Sequence, residues 1–301
     1  MKKLLIASVF IIGFLGCGEN AAKVTPNAKL SAKEQVLKRY NESYLTSETN
    51  SVQFNDDENL CTAGSLSESV QNKVLARINY YRTEVGLPSV TFDALLNAKA
   101  MEGALMIKAN KQLSHTPPST WKCYSAYGYE GCNKGNIYLG RHTSYAIDGY
   151  IQDPGSGNKA VGHRRWILYS RGNILGHGST DNSSVLYVIG NTLPVPDDMP
   201  EFTSWPPKGY AIGRLIHPRW SISIPNANFD NALVTMTGPS DEIISLVQND
   251  VYNGYGDNTL VWEPNGIENT IDGNEYSVTV SNIFVDGVAK SFDYKVTVVI
   301  P

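Results

Sequence analysis

The hydrophobic period changes once along this chain, and that change limits its fold more than any other feature. Between residues 65 and 152 the apolar side chains recur at helical spacing, and beyond residue 173 they recur at strand spacing. Val70, Val74, Ile78, Tyr81 and Val85 line one helical face. The Ser65-Leu66-Ser67-Glu68 segment before them has capping-box form, Gly86 stands in the C′ place, and Pro88 blocks continuation. A second helix is predicted over 93–111, capped by Asp93, with Leu95, Ala98, Met101, Leu105 and Ala109 on one face. A third is predicted over 144–152, stopped by Pro154-Gly155. Short strands at 173–179 and 185–189 then flank a turn rich in Gly, Asp, Asn and Ser. Helices interleaved with short strands give an α+β or layered domain.

The rest of the chain reads differently. Residues 192–218 are rich in proline. Strand-like runs follow at 220–224, 233–237, 243–247, 259–262, 276–284 and 291–300, the last two alternating cleanly. Val285-Asp286-Gly287-Val288 is a hairpin signal. Six or seven strands in about 100 residues fit an immunoglobulin- or fibronectin-like β-sandwich. Charge divides along the same line. Residues 61–200 carry 13 Lys and Arg against 10 Asp and Glu, whereas 201–301 carry 5 against 12, so two separate domains are expected. The net charge of −4 lacks the basic footprint of a nucleic-acid binder.

At the N-terminus, Lys2 and Lys3 precede 13 uncharged residues, too few for a spanning helix and right for a signal-peptide core. The segment ends Phe14-Leu15-Gly16-Cys17, which resembles a bacterial lipobox. That likeness implies cleavage before Cys17, lipidation of Cys17, and anchorage at the bacterial envelope, with Gly18 favouring an outer membrane or the cell surface. Residues 1–16 are thus expected to be a lipoprotein signal peptide. Residues 17–60 are polar and read as a tether with one short helix near 32–44. Export leaves Cys61, Cys123 and Cys132, an odd number in an oxidising compartment: one disulfide and one spare thiol, with three pairings open.

His115 follows the second predicted helix, Asp153 ends the third, and His163 opens Val-Gly-His-Arg-Arg-Trp. No local metal motif, nucleophile elbow or phosphate loop accompanies them. Their order is more telling. The run Val74 to Arg82 with Gly86-Leu87-Pro88, then Val90-Thr91-Phe92-Asp93, Leu113-Ser114-His115, Gly135-Asn136-Ile137, Gly149-Tyr150-Ile151-Gln152-Asp153, Gly162-His163 and Val185-Leu186-Tyr187-Val188 resembles the CAP superfamily (cysteine-rich secretory proteins, antigen 5 and pathogenesis-related proteins) over about 66–191. His-Thr-Pro-Pro and Ala-Val-Gly-His-Arg-Arg-Trp resemble a bacterial branch. The resemblance implies a three-layer α-β-α sandwich over 61–195, with the β-sandwich over 196–301, a Cys61–Cys123 disulfide and Cys132 as the extra thiol. It also implies a cleft with two histidines and two acids that holds zinc in some members. His115 and His163 match the histidines and Asp153 one acid. The other acid precedes the Asn of a Gly-Glu-Asn motif, where this chain has Gly135, and Glu130 would need a loop excursion to replace it.

His115, Asp153 and His163 could therefore hold Zn2+ with an open water position. Arg164, Arg165 and Trp166 are expected at the same cleft, the arginines offering an anion site. Trp121, Tyr124, Tyr127, Tyr129, Tyr138, Tyr145 and Tyr150 are expected to crowd around it. Two functions compete. One is an envelope-anchored protein that binds a lipid, glycan or protein partner in the cleft. The other is a metal-dependent hydrolase. The incomplete acid set favours binding.

Overall fold

The computed structural model describes residues 29–190 and 192–301. The expected signal peptide and Cys17 lie outside the described residues. The chain divides into Met1–Leu30 and a compact unit, Ser31–Pro301; the second carries the architecture below.

The unit opens with α1 (Ala32–Arg39), set by a capping box in which Ser31 and Glu34 satisfy each other's backbone amides. It runs on through a π turn, Tyr40–Tyr44, and a 3-10 turn, Leu45–Ser47. Val36, Tyr40 and Tyr44 are buried in the main core. The tether expected over 17–60 is therefore corrected: residues 31–47 are part of the fold. Their polar composition hid three apolar side chains placed four apart on one helical face.

Helix α2 (Glu68–Glu84) starts two residues later than the Ser65 box suggests, because the Ser67 side chain accepts from the Val70 amide. Val74, Ile78 and Tyr81 are fully buried. Helix α3 (Ala94–Asn110) is capped by Asp93, as expected. Its face is only partly the expected one: Met101 and Leu105 are buried, Leu95 and Ala98 are exposed, and Leu96, Ala100, Ala104 and Ile107 are buried as well. The helix is packed from two sides. On one side lies α4 (Ala126–Asn133), and on the other β3 (Ile174–Ser179). A Cβ at Gly178 would stand 2.1 Å from the Met101 nitrogen, and one at Gly128 would stand 2.2 Å from Met106 Sδ. Only glycine permits that approach.

Strands β1 (Thr91–Phe92), β2 (Gly135–Leu139), β3 and β4 (Ser183–Tyr187) form one sheet in the order β1-β3-β4-β2. Alternation assigns its faces. Val185 packs with Ala100, Ala104 and Cys132, whereas Leu175 and Leu186 pack with α2 and with α5 (Thr143–Gln152). The result is the expected three-layer α-β-α arrangement. Cys61 and Cys123 form the disulfide, and Cys132 is free and buried, its thiol pushed up to about 12 by burial. A short helix, α6 (Gly162–Ile167), leads into β3.

The remaining strands are β5 (Thr203–Trp205), β6 (Gly209–Ile212), β7 (Trp220–Ile224), β8 (Ala227–Asn228), β9 (Leu233–Thr237), β10 (Leu246–Gln248), β11 (Asn258–Pro264), β12 (Glu275–Val285) and β13 (Val288–Val299). They form two sheets, β10-β11-β7-β5 and β6-β13-β12-β8, with β9 also pairing to β12. Trp220, Ile222 and Trp262 from one face Tyr276, Val278 and Val296 from the other across a shared core, a β-sandwich. Asp286 and Gly287 both take positive φ, the geometry of a tight hairpin between β12 and β13.

The expected division at residue 195 does not separate two bodies, since Ser31–Pro301 is one compact unit. Trp205, Ile212, Leu215 and Val299 join the core formed by α1, α2 and α5. Arg214 donates to Tyr40 Oη at 3.1 Å, and Lys33 pairs with Asp272 at 2.6 Å, so the N-terminal helical segment grips the sandwich directly.

Candidate functional site

His115 and His163, far apart in sequence, line two adjoining cavities of about 260 and 520 Å3. Each histidine is fixed through Nδ1. The His115 Nδ1–H points to the Cys132 carbonyl at 2.8 Å, while the Asn133 side-chain amide donates to the His115 carbonyl. His163 sits at the start of α6, where its backbone N–H donates to Asp153 Oδ2 (2.9 Å) and its Nδ1 meets Asp153 Oδ1 (2.7 Å). Asp153 is wholly buried, in the left-handed conformation (φ 50°) that ends α5. Tyr150 stacks on the His163 ring at 5.5 Å and anchors its hydroxyl to the carbonyls of Asn136 and Ser184. The Asn136 side chain donates to the His163 carbonyl. Among the described residues neither Nε2 has a protein partner, so each imidazole can offer that atom to a ligand.

This corrects the expected ligand set. Both oxygens of Asp153 serve His163, so Asp153 orients an imidazole rather than facing a metal. Glu130 does not substitute for the missing acid. It lies on α4, paired with Lys99 at 2.8 Å and Lys134 at 3.2 Å and accepting from Tyr187 Oη, contacts that hold its carboxyl near pKa 2. Position 135 has no room for an acid: a Cβ there would stand 2.5 Å from the Gly131 oxygen and 2.9 Å from Val185. Among the described residues no three His, Cys, Asp or Glu side chains are grouped to hold a metal ion. Two imidazoles remain, and they do not fit the three-ligand zinc site.

The arginines are also corrected. Arg164 and Arg165 are 1% and 3% exposed and do not line the cleft. Arg164 donates to the Ile151 and Arg219 carbonyls, and Arg165 to those of Tyr252 and Asp257. Burial lowers both guanidinium pKa values to about 10, which leaves them charged at neutral pH. They act as rivets between the α6 segment and the sandwich. Arg219 works from the other side, donating to the carbonyls of Asp153, Gly155 and Asn158, which belong to the loop walling the cavity.

Trp166 does line the smaller cavity. Of the expected aromatics, Tyr138 lines the larger one and Tyr150 backs His163, while Tyr145 lines a cavity elsewhere. Tyr255, unforeseen in the sequence, completes the wall from the β10–β11 connection. A Cβ on Gly162 would meet its ring at 3.0 Å, so a bare glycine before His163 was the one available signal. Among the described residues the smaller cavity is lined by His, Asn, Gly, Ala, Ile, Trp and Tyr, with no acid, lysine or arginine.

Residues 75–191 match the sequence model of CAP, the cysteine-rich secretory protein family. The matched stretch contains His115, Asp153 and His163 and leaves out α1 and the β-sandwich. No curated protein matches the chain.

Proposed function

We propose that this chain, whose residues 75–191 match the CAP family model, is an exported envelope protein that binds a neutral polar ligand of the glycan class in the His115–His163 cleft. The observation that carries the reading is the pair of imidazoles fixed through Nδ1, with both Nε2 atoms left for a ligand. Around them the side-chain amides of Asn133 and Asn158 offer donors and acceptors, and Trp166 and Tyr255 offer ring faces. A smaller cavity of hydrogen-bonding groups with aromatic walls and no acid, lysine or arginine in its lining suits a hydroxylated ring. The immunoglobulin-like sandwich supports the cleft from behind, through Arg164, Arg165 and Arg219. Cys17 supplies a lipid anchor, which holds the cleft at the cell envelope. Metal-dependent hydrolysis is not carried forward, because the third ligand is committed elsewhere.

Calorimetric titration with neutral N-acetylhexosamine oligomers tests the reading. Saturable binding is expected, abolished by His163→Ala and weakened about tenfold by Asp153→Asn, which loses the acceptor for the His163 amide. No binding, or binding indifferent to His163→Ala, defeats it. For the anchor, Cys17→Ser is expected to move the protein from the membrane to the soluble fraction. Unchanged fractionation removes that part of the proposal.

A further inference from the structure

A second large cavity, of about 500 Å3, lies away from the two histidines just described and has the opposite electrostatic character. Its walls come from the π turn after α1, the β2–α5 connection, the outer face of α5 and the 3-10 turn at Gly213–Leu215. Asp148 is its acidic lining residue, and that charge is already consumed. Asp148 pairs with the buried Arg77 at 2.5 Å and accepts from the hydroxyls of Tyr81 (2.8 Å) and Tyr44 (3.1 Å). The two lining cations are not consumed. Arg141 makes no hydrogen bond or ion pair among the described residues, only a contact with the Tyr138 ring at 5.7 Å. Arg214 has only neutral partners among the described residues, donating to the Tyr40 hydroxyl and lying over the Tyr44 ring at 5.8 Å. His217, on the same wall, has a buried Nε2 without a hydrogen-bond partner.

The two arginines converge on one chemistry. Arginine guanidinium presents a planar fork matched to carboxylate and phosphate oxygens. His217 packs beside them on the same wall with its Nε2 closed to solvent, so it shapes the pocket rather than meeting the ligand. Tyr44, Tyr81, Tyr145 and Leu215 supply an apolar wall beside the arginines. We propose that this cavity binds an organic oxyanion, a carboxylate or phosphate ester carried on an apolar or aromatic body, with Arg141 and Arg214 gripping the anionic group. The site is separate from the histidine cleft and stands whether or not that cleft takes a glycan.

The test uses the full chain and three probes: phenyl phosphate, inorganic phosphate, and vesicles of phosphatidylglycerol set against phosphatidylcholine. Phenyl phosphate is expected to bind saturably and more tightly than inorganic phosphate. Affinity should fall about tenfold with Arg141→Gln or Arg214→Gln and with rising salt, and Lys at either position should restore part of it. Both arginines lie outside the core with few bonds, so unchanged circular dichroism should show that the variants fold. If binding is seen only as an arginine-dependent preference for phosphatidylglycerol vesicles, the oxyanion site stands and its source is a lipid headgroup. Absence of arginine-dependent binding to every probe overturns the proposal. So does loss of phenyl phosphate binding in His163→Ala, which would place the ligand in the other cleft.

Discussion

The two cavities share α5 as a wall, yet the same helix gives them opposite chemistry. Toward one side it ends in Asp153, whose carboxylate is buried behind His163 and contributes orientation rather than charge to the cleft. Toward the other it presents Asp148, neutralised by Arg77 and two tyrosine hydroxyls, while Arg141 and Arg214 make no ion pair among the described residues. In both places a carboxylate lines a candidate site, and in both its oxygens are taken up by protein partners. The character of each site follows from what the carboxylate's partners leave over: two imidazole Nε2 atoms in one, two arginines without an ion pair in the other.

The largest expected effect breaks the cationic side. Arg77→Met removes the cation that neutralises Asp148, leaves the hydroxyl of Ser47 without its donor, and takes from the carbonyl of Tyr44 one of its two donors, the other being Ser47 Oγ. Removing one partner of a buried pair typically costs about 3–5 kcal/mol. Urea denaturation should show a loss of that order, and phenyl phosphate binding should vanish because the freed Asp148 charge opposes it. Retained binding would mean that Asp148 has no bearing on the cavity. The neutral cleft in the folded fraction should still bind its ligand, since Arg77 touches none of its walls.

Next in size is Gly135→Glu, which restores the acid that the CAP resemblance leads one to expect. The backbone of residue 135 lies against Gly131 and Leu186, so the new side chain must displace strand β2 or α4. Overpacking of this kind costs about 1–3 kcal/mol. The variant should melt at a lower temperature and take up no zinc in calorimetry. A gain of tight, one-to-one zinc binding would show that the cleft lacks only a ligand, and would reopen the metal reading.

These variants also mark where the sequence was legible. Helix α2 was readable because one face is buried, so Val74, Ile78 and Tyr81 kept their period. Helix α3 was read only in part, Met101 and Leu105 correctly and Leu95 and Ala98 not, because β3 and α4 bury it from two sides, through glycines that leave no periodic mark. The short α4 and α6 carried too few turns to show a period at all. His115 and His163 were found through the order of motifs around them. Asp153 was found too but given the wrong role, since spacing cannot tell whether a carboxylate meets a ligand or the far nitrogen of a histidine. Arg164 and Arg165 read as cleft residues offering an anion site. Their burial depends on carbonyls of residues 219, 252 and 257, which local sequence cannot place beside them.

A pH measurement sharpens the contrast between the cleft histidines and one kept inside the sheet. His177 is fully buried, with Gln71 on one nitrogen and Ser179 on the other, and burial lowers its pKa to about 3. Its unfolded value is about 6.5. Between these limits the unfolded chain binds a proton that the folded chain refuses. Stability from this residue is therefore intact above about pH 6.5 and is lost as pH falls toward 3, by about 1.4 kcal/mol per pH unit. Chemical denaturation at pH 7, 6, 5 and 4 should show that slope, reduced in His177→Gln. An unchanged slope would mean that the ring is protonated in the fold.

The smallest expected effect concerns Glu130. If this carboxylate belonged to the histidine cleft, neutralising it would alter ligand binding there. Its partners place it elsewhere: Lys99, Lys134 and Tyr187 hold it on the outer side of α4, where solvent screens the pairs. Exposed ion pairs contribute about 0.2–1 kcal/mol each. Glu130→Gln keeps an acceptor for Tyr187 and loses only the charge, so the melting temperature should drop slightly at low salt and less at high salt. Oligosaccharide and phenyl phosphate affinities should both match the parent protein. A selective loss of oligosaccharide binding would show that α4 moves to bring Glu130 into the cleft on ligand binding, and the cleft would no longer count as uncharged.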